Sequence, residues 1–315
     1  MKGGGKLIGI VVFLGILYAT LLAVGEGAAT RQYHFILGQR IGLYGIITLA
    51  AGFVIITGNI DLSMGSVVAF CSTLTCVLLI DHKLPLWAVV PIVLIAGMLI
   101  GLINGLLVTY LRVQAFVVTL CGMFVYRGLA RRLTRDNAAG LGTLFRDEKE
   151  FLLGDFLGLP IHFLVLMVLL ALAAILLHLS AHGRCFFAIG SNERAARFSG
   201  IPTNAYKILA FVLCSTLTAL YSLMFVFTSN QVQPNNTGNM DELYAIAGAV
   251  LGGLSLRGGE GTVCGVLIGT CIIRILPSIT SLSRVSSTYE PVVIGLALLL
   301  GATVDELLRR RRTDR

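Results

Sequence analysis

Charge is what this chain has least of. Asp, Glu, Lys and Arg make up 13% of its 315 residues against 56% apolar ones, and the mean hydropathy is +0.89. A soluble domain needs far more polar residues to make its surface. Secreted, fibrous and disordered classes are excluded with it, and the apolar residues gather into runs long enough to cross about 30 Å of hydrocarbon. Catalytic signatures are missing too. No G-x-x-x-x-G-K-[ST] phosphate loop occurs, so the chain is not itself an ATPase by that route. His34, His82, His162, His178 and His182 are scattered without ligand spacing, and nothing resembles a catalytic set or a metal site. Seven cysteines form no C-x-x-C pair, and all but Cys185 fall in apolar runs, where Cys packs as a small hydrophobe. The chain reads as a non-enzyme without a cofactor of its own.

The net charge of +8 and pI near 9.3 do not imply a nucleic-acid partner, because Lys and Arg sit between apolar runs and in the tail, not on one face. Membrane topology explains them better. Apolar stretches predict an all-α, polytopic bundle forming one transmembrane domain over 1–315, with full spans near 7–24, 41–57, 62–80, 86–108, 113–130, 161–180, 207–227 and 289–304. Residues 245–256 and 262–277 are apolar but short, forming either two short spans or one re-entrant hairpin, for about ten spans in all. Lys2 and Lys6 ahead of Leu7–Val24 resemble a signal peptide, but the run is long enough to read as an uncleaved first span.

Lys2, Lys6, the run Arg309–Arg312, and Arg184, Arg194, Arg197 and Lys207 in a 181–206 loop place both termini and that loop in the cytoplasm. An external loop over 131–160 then carries Arg131, Arg132, Arg135, Arg146 and Lys149 against the positive-inside rule, although Asp136, Asp147, Glu148, Glu150 and Asp155 make it formally neutral.

Glycines at every fourth position, Gly97/Gly101/Gly105 and Gly261/Gly265/Gly269, predict close helix packing, either within the bundle or at a sliding or dimer surface. Ionisable residues at membrane depth are costly and therefore few. Asp61 either caps the helix that follows it or touches a polar solute. Arg127 and Arg274 lie near expected span ends, where they would snorkel to headgroups, and Asn104 needs either an interhelical hydrogen bond or a solute. So few carboxylates at depth speak against a carrier driven by a coupling ion.

The segment Gly190–Pro202 reads as one short helix. Ser191 or Asn192 serves as N-cap, Glu193 and Arg197 suit the two ends of the helix dipole, and Gly200 with Pro202 ends it. So short a helix is unstable alone and must dock on something, with Ala195, Ala196 and Phe198 as its contacts.

This segment resembles the Glu-Ala-Ala coupling helix of permease subunits in bacterial ATP-binding-cassette importers, in particular the ribose/xylose/galactose branch. The likeness extends to Gly58-Asn59-Ile60-Asp61-Leu62-Ser63-Met64-Gly65-Ser66, Gly101–Gly105, Phe116-Val117-Val118-Thr119-Leu120, Ala249–Gly253 and Gly258–Val263, in order from about 40 to 308. Asn59 replaces a usual Gly, and Ala115 stands where Pro is common. The resemblance implies a permease in the bacterial cytoplasmic (inner) membrane, paired with a second copy or homologue. A periplasmic sugar-binding protein would deliver a monosaccharide, and a cytoplasmic ABC ATPase would use the ATP.

It further implies ATPase coupling through Asn192, Glu193, Arg194, Ala195, Ala196, Arg197, Phe198 and Gly200. Asn59, Asp61, Asn104, Phe116 and Thr119 would border the translocation path. The 131–160 loop either contacts the binding protein or is simply solvated, and Asn235-Asn236-Thr237 reads as a polar outer loop. The rivals are a nucleoside or other small polar solute on the same scaffold, and a self-sufficient secondary carrier.

Overall fold

In hydrocarbon a chain must bond its backbone donors and acceptors internally, and long apolar segments do so as helices. The computed structural model describes residues 4–24, 27–229, 231–282, 287–289 and 291–296, with single positions 299 and 303. The Arg309–Arg312 run and part of the expected 289–304 span lie outside the described residues. The helices are α1 (Gly4–Val24), α2 (Arg31–Ile56), α3 (Met64–Cys76), α4 (Leu86–Thr109), α5 (Ala115–Leu133), α6 (Arg146–Leu153), α7 (Ile161–Ala174), α8 (Ala181–Ser191), α9 (Glu193–Phe198), α10 (Thr203–Ser229), α11 (Asp241–Leu251) and α12 (Val263–Leu282). Both α3 and α7 end in a π-helical turn, Val77–Asp81 and Ile175–Leu179.

Among the described residues six helices are long and apolar enough to cross a bilayer: Arg31–Ile56, Met64–Asp81, Leu86–Thr109, Ile161–Leu179, Thr203–Ser229 and Val263–Leu282. The expected segments 7–24 and 113–130 are helical as α1 and α5. The chain is a mostly helical polytopic membrane protein.

From Ile41 to Ile56 helix α2 is apolar on nearly every side and almost continuously buried, with α7, α10, α11 and α12 around it. Helices α4 and α7 turn large apolar side chains such as Ile95, Leu99, Val168 and Leu172 outward, as lipid-facing helices do. The apolar stretch at 245–277 resolves into an unequal pair. At about 1.5 Å per residue, α11 covers only about 16 Å, whereas α12 covers about 30 Å.

The segment 131–160 is folded more than a plain loop would be. It holds α6 and a small antiparallel hairpin, β1 (Asp155–Phe156) with β2 (Leu159–Pro160). These pack near the start of α2, where Gln39 donates to the Leu153 carbonyl at 2.7 Å. The two-residue strands, with an antiparallel bridge between Ala139 and Val232, depart from an all-α description.

Both glycine rows are contacts within the chain. A β-carbon at Gly97 would lie 2.5 Å from Ala219 Cβ, and one at Gly101 would lie 2.4 Å from the Phe211 carbonyl oxygen, so α4 meets α10 backbone to backbone. Likewise a β-carbon at Gly269 would approach the Gly248 carbonyl of α11. We therefore expect Gly101→Ala to destabilise the bundle by roughly 1–3 kcal/mol through overpacking. Gly128→Ala, with open space around it, should be neutral or stabilising by about 0.4–1 kcal/mol. Unfolding of both variants in detergent micelles checks the contrast, and equal stability of the two would contradict the packing.

Candidate functional site

The seven residues between α2 and α3 leave the helical path inside the bundle, and every polar group there needs a partner. Helix α2 ends in a double backbone cap: Gly58 N–H donates to the Ile55 carbonyl at 2.8 Å and Asn59 N–H to the Val54 carbonyl at 3.2 Å. Gly58 holds φ +76°, which a glycine adopts at little cost. Asn59 is not held at positive φ, so the position accommodates an Asn side chain. Its side-chain amide donates to Thr57 Oγ1 at 3.0 Å and to the Thr57 carbonyl at 3.2 Å.

Asp61 is 3% exposed, and its Oδ1 accepts from Ser63 N–H at 2.8 Å and Ser63 Oγ at 2.6 Å. It thus secures the residue preceding α3, while Ser63, the N-cap itself, makes no side-chain cap. The Cys214 thiol of α10 lies 3.9 Å from Asp61 Oδ2. Asn104 of α4 donates to Ser63 Oγ at 3.1 Å and accepts from Tyr126 of α5 at 2.8 Å. Donors therefore run in one direction, from the Tyr126 hydroxyl through Asn104 and Ser63 to the Asp61 carboxyl. Such a chain polarises itself and strengthens each member. Thr119 Oγ1 donates to the Ala115 carbonyl at 2.9 Å, with the Ile60 carbonyl at 3.4 Å.

Asp61, Asn104 and Thr119 thus meet at one break, with Asn59 at its edge. Phe116 is not among them: it is 49% exposed on the outside of α5 beside exposed Val117.

Neither arginine snorkels. Arg127, within α5, donates to the Pro234 carbonyl at 3.1 Å and the Thr237 carbonyl at 2.5 Å, with the Gly65 carbonyl at 3.4 Å. It fastens the 231–240 segment to the first turn of α3, where Thr237 is buried while Asn235 and Asn236 stay exposed. Arg274 lies midway along α12, its guanidinium carbon 3.7 Å from the centre of the Tyr44 ring. Beside it the Tyr221 hydroxyl donates to Asp241 at 2.9 Å. Sequence reasoning missed this cluster. The available signal was the pair Asp241-Glu242 opening an otherwise apolar stretch.

The Gly190–Pro202 segment forms α9 as expected. Asn192 is the N-cap, accepting from Ala195 N–H at 3.0 Å. Gly200, at φ +81°, closes the C-terminus: its N–H donates to the Arg197 carbonyl at 3.1 Å, and Ile201 N–H donates to the Ala196 carbonyl at 3.1 Å. Glu193 pairs with Arg197 at 3.1 Å and with Lys207 at 3.1 Å, and Arg197 reaches Thr203 Oγ1 at 3.1 Å, bracing α9 against α10. Ala196 is buried beneath the helix. Arg194 and Ala195 face out, and Phe198 is 93% exposed.

Just before α9, Gly190 packs so closely that a β-carbon would meet the Ile56 carbonyl, while Gly259 N–H donates to that same carbonyl at 2.9 Å. The end of α2, the α11–α12 turn and the root of α9 therefore meet directly, backbone on backbone.

The Tyr126–Asn104–Ser63 chain can be measured. Interhelical hydrogen bonds in membranes average about 0.6 kcal/mol and reach about 1.7. A double-mutant cycle of Tyr126→Phe and Asn104→Ala should return a coupling in that range by unfolding in bicelles. A coupling indistinguishable from zero would mean that the contact is incidental.

Residues 35–302 match the family described as branched-chain amino acid transport system / permease component. The ribose import permease protein RbsC of Bacillus subtilis is 37% identical over 268 residues, covering 85% of this chain and 82% of the relative. RbsC of Haemophilus influenzae is 35% identical over 278 residues, 87% of this chain and 85% of the relative. The autoinducer 2 import system permease protein LsrC of Yersinia pestis is 36% identical over 294 residues, 93% of this chain and 82% of the relative. No solved structure matches the chain. A match that runs through α2 to α12, over the break and the braced helix alike, makes the chain a member of this permease family.

Proposed function

We propose that this chain is the membrane-spanning subunit of an ATP-driven importer in the bacterial cytoplasmic membrane, passing a monosaccharide inward by alternating access. It pairs with a second copy or a close homologue, receives solute from a periplasmic binding protein, and is driven by a separate cytoplasmic ATPase that binds and uses the ATP. The chain itself needs no cofactor. Membrane lipid covers the outward faces of α4 and α7.

The observation that carries this reading is α9: a helix capped at both ends, locked to α10 through Glu193, Arg197 and Lys207, and offering a bare phenylalanine at its tip. A large apolar side chain on a rigid peg invites a complementary pocket. A push there reaches the α2–α3 break through the Gly190, Gly259 and Ile56 contact. A sugar is the favoured solute because the similar permeases named above import ribose or autoinducer 2.

In the proposed topology the 181–206 segment and both termini are cytoplasmic, the 131–160 segment is external, and the last apolar stretch completes about ten spans. Support comes from geometry. α9, the end of α2 and the α11–α12 turn share one end of the bundle, while β2 lies against the first turns of α2. Asn59, Asp61, Asn104, Phe116 and Thr119 are assigned to the border of the path. The first three and Thr119 form its joint, and Phe116 faces outward from α5.

The test is reconstitution. Proteoliposomes holding this chain with its ATPase should accumulate a sugar only when binding protein and ATP are supplied, and the chain alone should give no flux; flux from the chain alone would identify a self-sufficient carrier. Screening the binding protein against sugars and nucleosides fixes the solute class. Phe198→Ala and Glu193→Lys should each lower uptake and ATPase co-purification at least tenfold at normal abundance. Gly200→Leu should add a strain of roughly 1–2 kcal/mol at the left-handed position and also impair coupling. Normal uptake in all three would remove α9 from the ATPase interface.

A further inference from the structure

Arg274 stands where a cation is hardest to keep, midway along a helix long and apolar enough to span the membrane. An arginine so placed is ordinarily paired, bonded to carbonyls, or extended to the headgroups. Among the described residues Arg274 makes no ion pair, and two of its donors, Nε and Nη2, are buried without an acceptor. Its position is nonetheless fixed. The guanidinium lies over the Tyr44 ring at 3.7 Å, with the Tyr244 ring 5.6 Å away, an arrangement that holds a planar cation by the quadrupole of the rings. The neighbouring carboxylate, Asp241, is engaged by the Tyr221 hydroxyl at 2.9 Å, and Tyr221 stands 5.7 Å from Tyr44, ring centre to ring centre. Four helices contribute: α2, α10, α11 and α12. One of them, α11, is a half-length helix that starts inside the bundle at this cluster, the kind of element from which transporter binding sites are built.

Resting on the importer reading above, we propose that Arg274, Tyr44 and Tyr244, with the Tyr221–Asp241 pair, form a transient contact for an uncharged, hydroxyl-rich solute on its way through the bundle. The chemistry matches at each position. Guanidinium N–H groups without a protein acceptor donate to hydroxyl oxygens, the Asp241 carboxyl accepts from hydroxyl hydrogens, and the tyrosine ring edges offer apolar surface to the C–H side of a sugar ring. The cluster suits a neutral polyol better than an anion. The two adjacent carboxyls, Asp241 and Glu242, disfavour an anion at this place. A contact that engages an uncharged solute, without forming an ion pair with it, releases its cargo readily, as conduction requires.

The test uses the complete importer in proteoliposomes, with radiolabelled D-ribose as probe and ATP hydrolysis measured in parallel. Wild-type complex that fails to take up any of a panel of sugars would sink the importer reading itself, before any variant is compared. Given wild-type uptake, Arg274→Lys and Arg274→Gln should each reduce it tenfold or more. Stimulation of ATP hydrolysis by the binding protein should stay within twofold of wild type, because the coupling end is untouched. Tyr44→Leu should show the same split, and Tyr44→Phe, which keeps the ring face, should retain most uptake. Uptake within twofold of wild type in Arg274→Gln at normal abundance would overturn the proposal. So would a parallel fall of uptake and ATP hydrolysis in the charge-preserving Lys variant, or failure of both Arg274 variants to assemble, since either makes Arg274 a packing residue.

Discussion

An unbonded backbone amide or carbonyl in hydrocarbon costs several kcal/mol, and this chain leaves the helical path inside its bundle more than once. The α2–α3 break, the 231–240 segment and the α11–α12 turn are affordable only because each is satisfied from within. Gly58 and Asn59 return their N–H groups to α2. Asp61 takes the Ser63 N–H, and Arg127 covers the carbonyls of Pro234 and Thr237. Gly259 donates to the Ile56 carbonyl. The polar residues at depth are therefore first of all solutions to a backbone problem, and their functional interest follows from what the irregular segments permit.

What they permit is a rigid connection with a defined weak place. From the α9 tip inward, the path runs through ion pairs to α10 and through glycine contacts to the end of α2, all short and directional. Beyond it, α3 is a separate piece, joined to α2 by seven non-helical residues and to α4 and α5 by the Asn104 and Tyr126 bonds. Packed helices move as bodies and bend where the helical ladder is interrupted. In the importer reading the break is where rigid-body motion of the coupling end becomes a change of shape beside the path.

The mostly helical, polytopic character of the chain, the two glycine rows and the caps of α9 were legible in the sequence, because each depends on local periodicity or on a residue type with a single geometric use. Asp61 was read as either a helix cap or a solute contact, and its carboxyl bonds the N–H and hydroxyl of Ser63 just ahead of α3. Long-range pairing was less visible. Asn104 announced that it needed a partner without naming Ser63 and Tyr126. Arg127 and Arg274 were read as headgroup-seeking because hydropathy places water at the end of every apolar run, whereas the 231–240 segment and α11 fold back and replace the water with protein. The inequality of α11 and α12 was hidden for the same reason, since residue counts of apolar stretches do not reveal depth. Phe116 carries a motif position yet faces outward, and only the helix phase in three dimensions separates it from Thr119. The α6 and β-hairpin segment lay beyond pattern reading because its elements are too short to show a period.

The buried carboxylates Asp61 and Asp241 bear on the energy source. The sequence argument against ion coupling rested on their scarcity, and Asp241 weakens that count. Geometry supplies a better argument. A coupling carboxylate must exchange its ion with water on both sides, and so needs a free oxygen and a route. Asp61 spends one oxygen on two bonds to Ser63 and has the Cys214 thiol against the other. Asp241 is tied to Tyr221 in the core. Asp61 is committed to holding the α2–α3 break in register, work that an ion-binding cycle would undo at every turnover, and each acid already accepts a hydrogen bond from the protein. A bundle whose acids are occupied this way fits an engine outside itself, which is the role proposed above for a partner at α9.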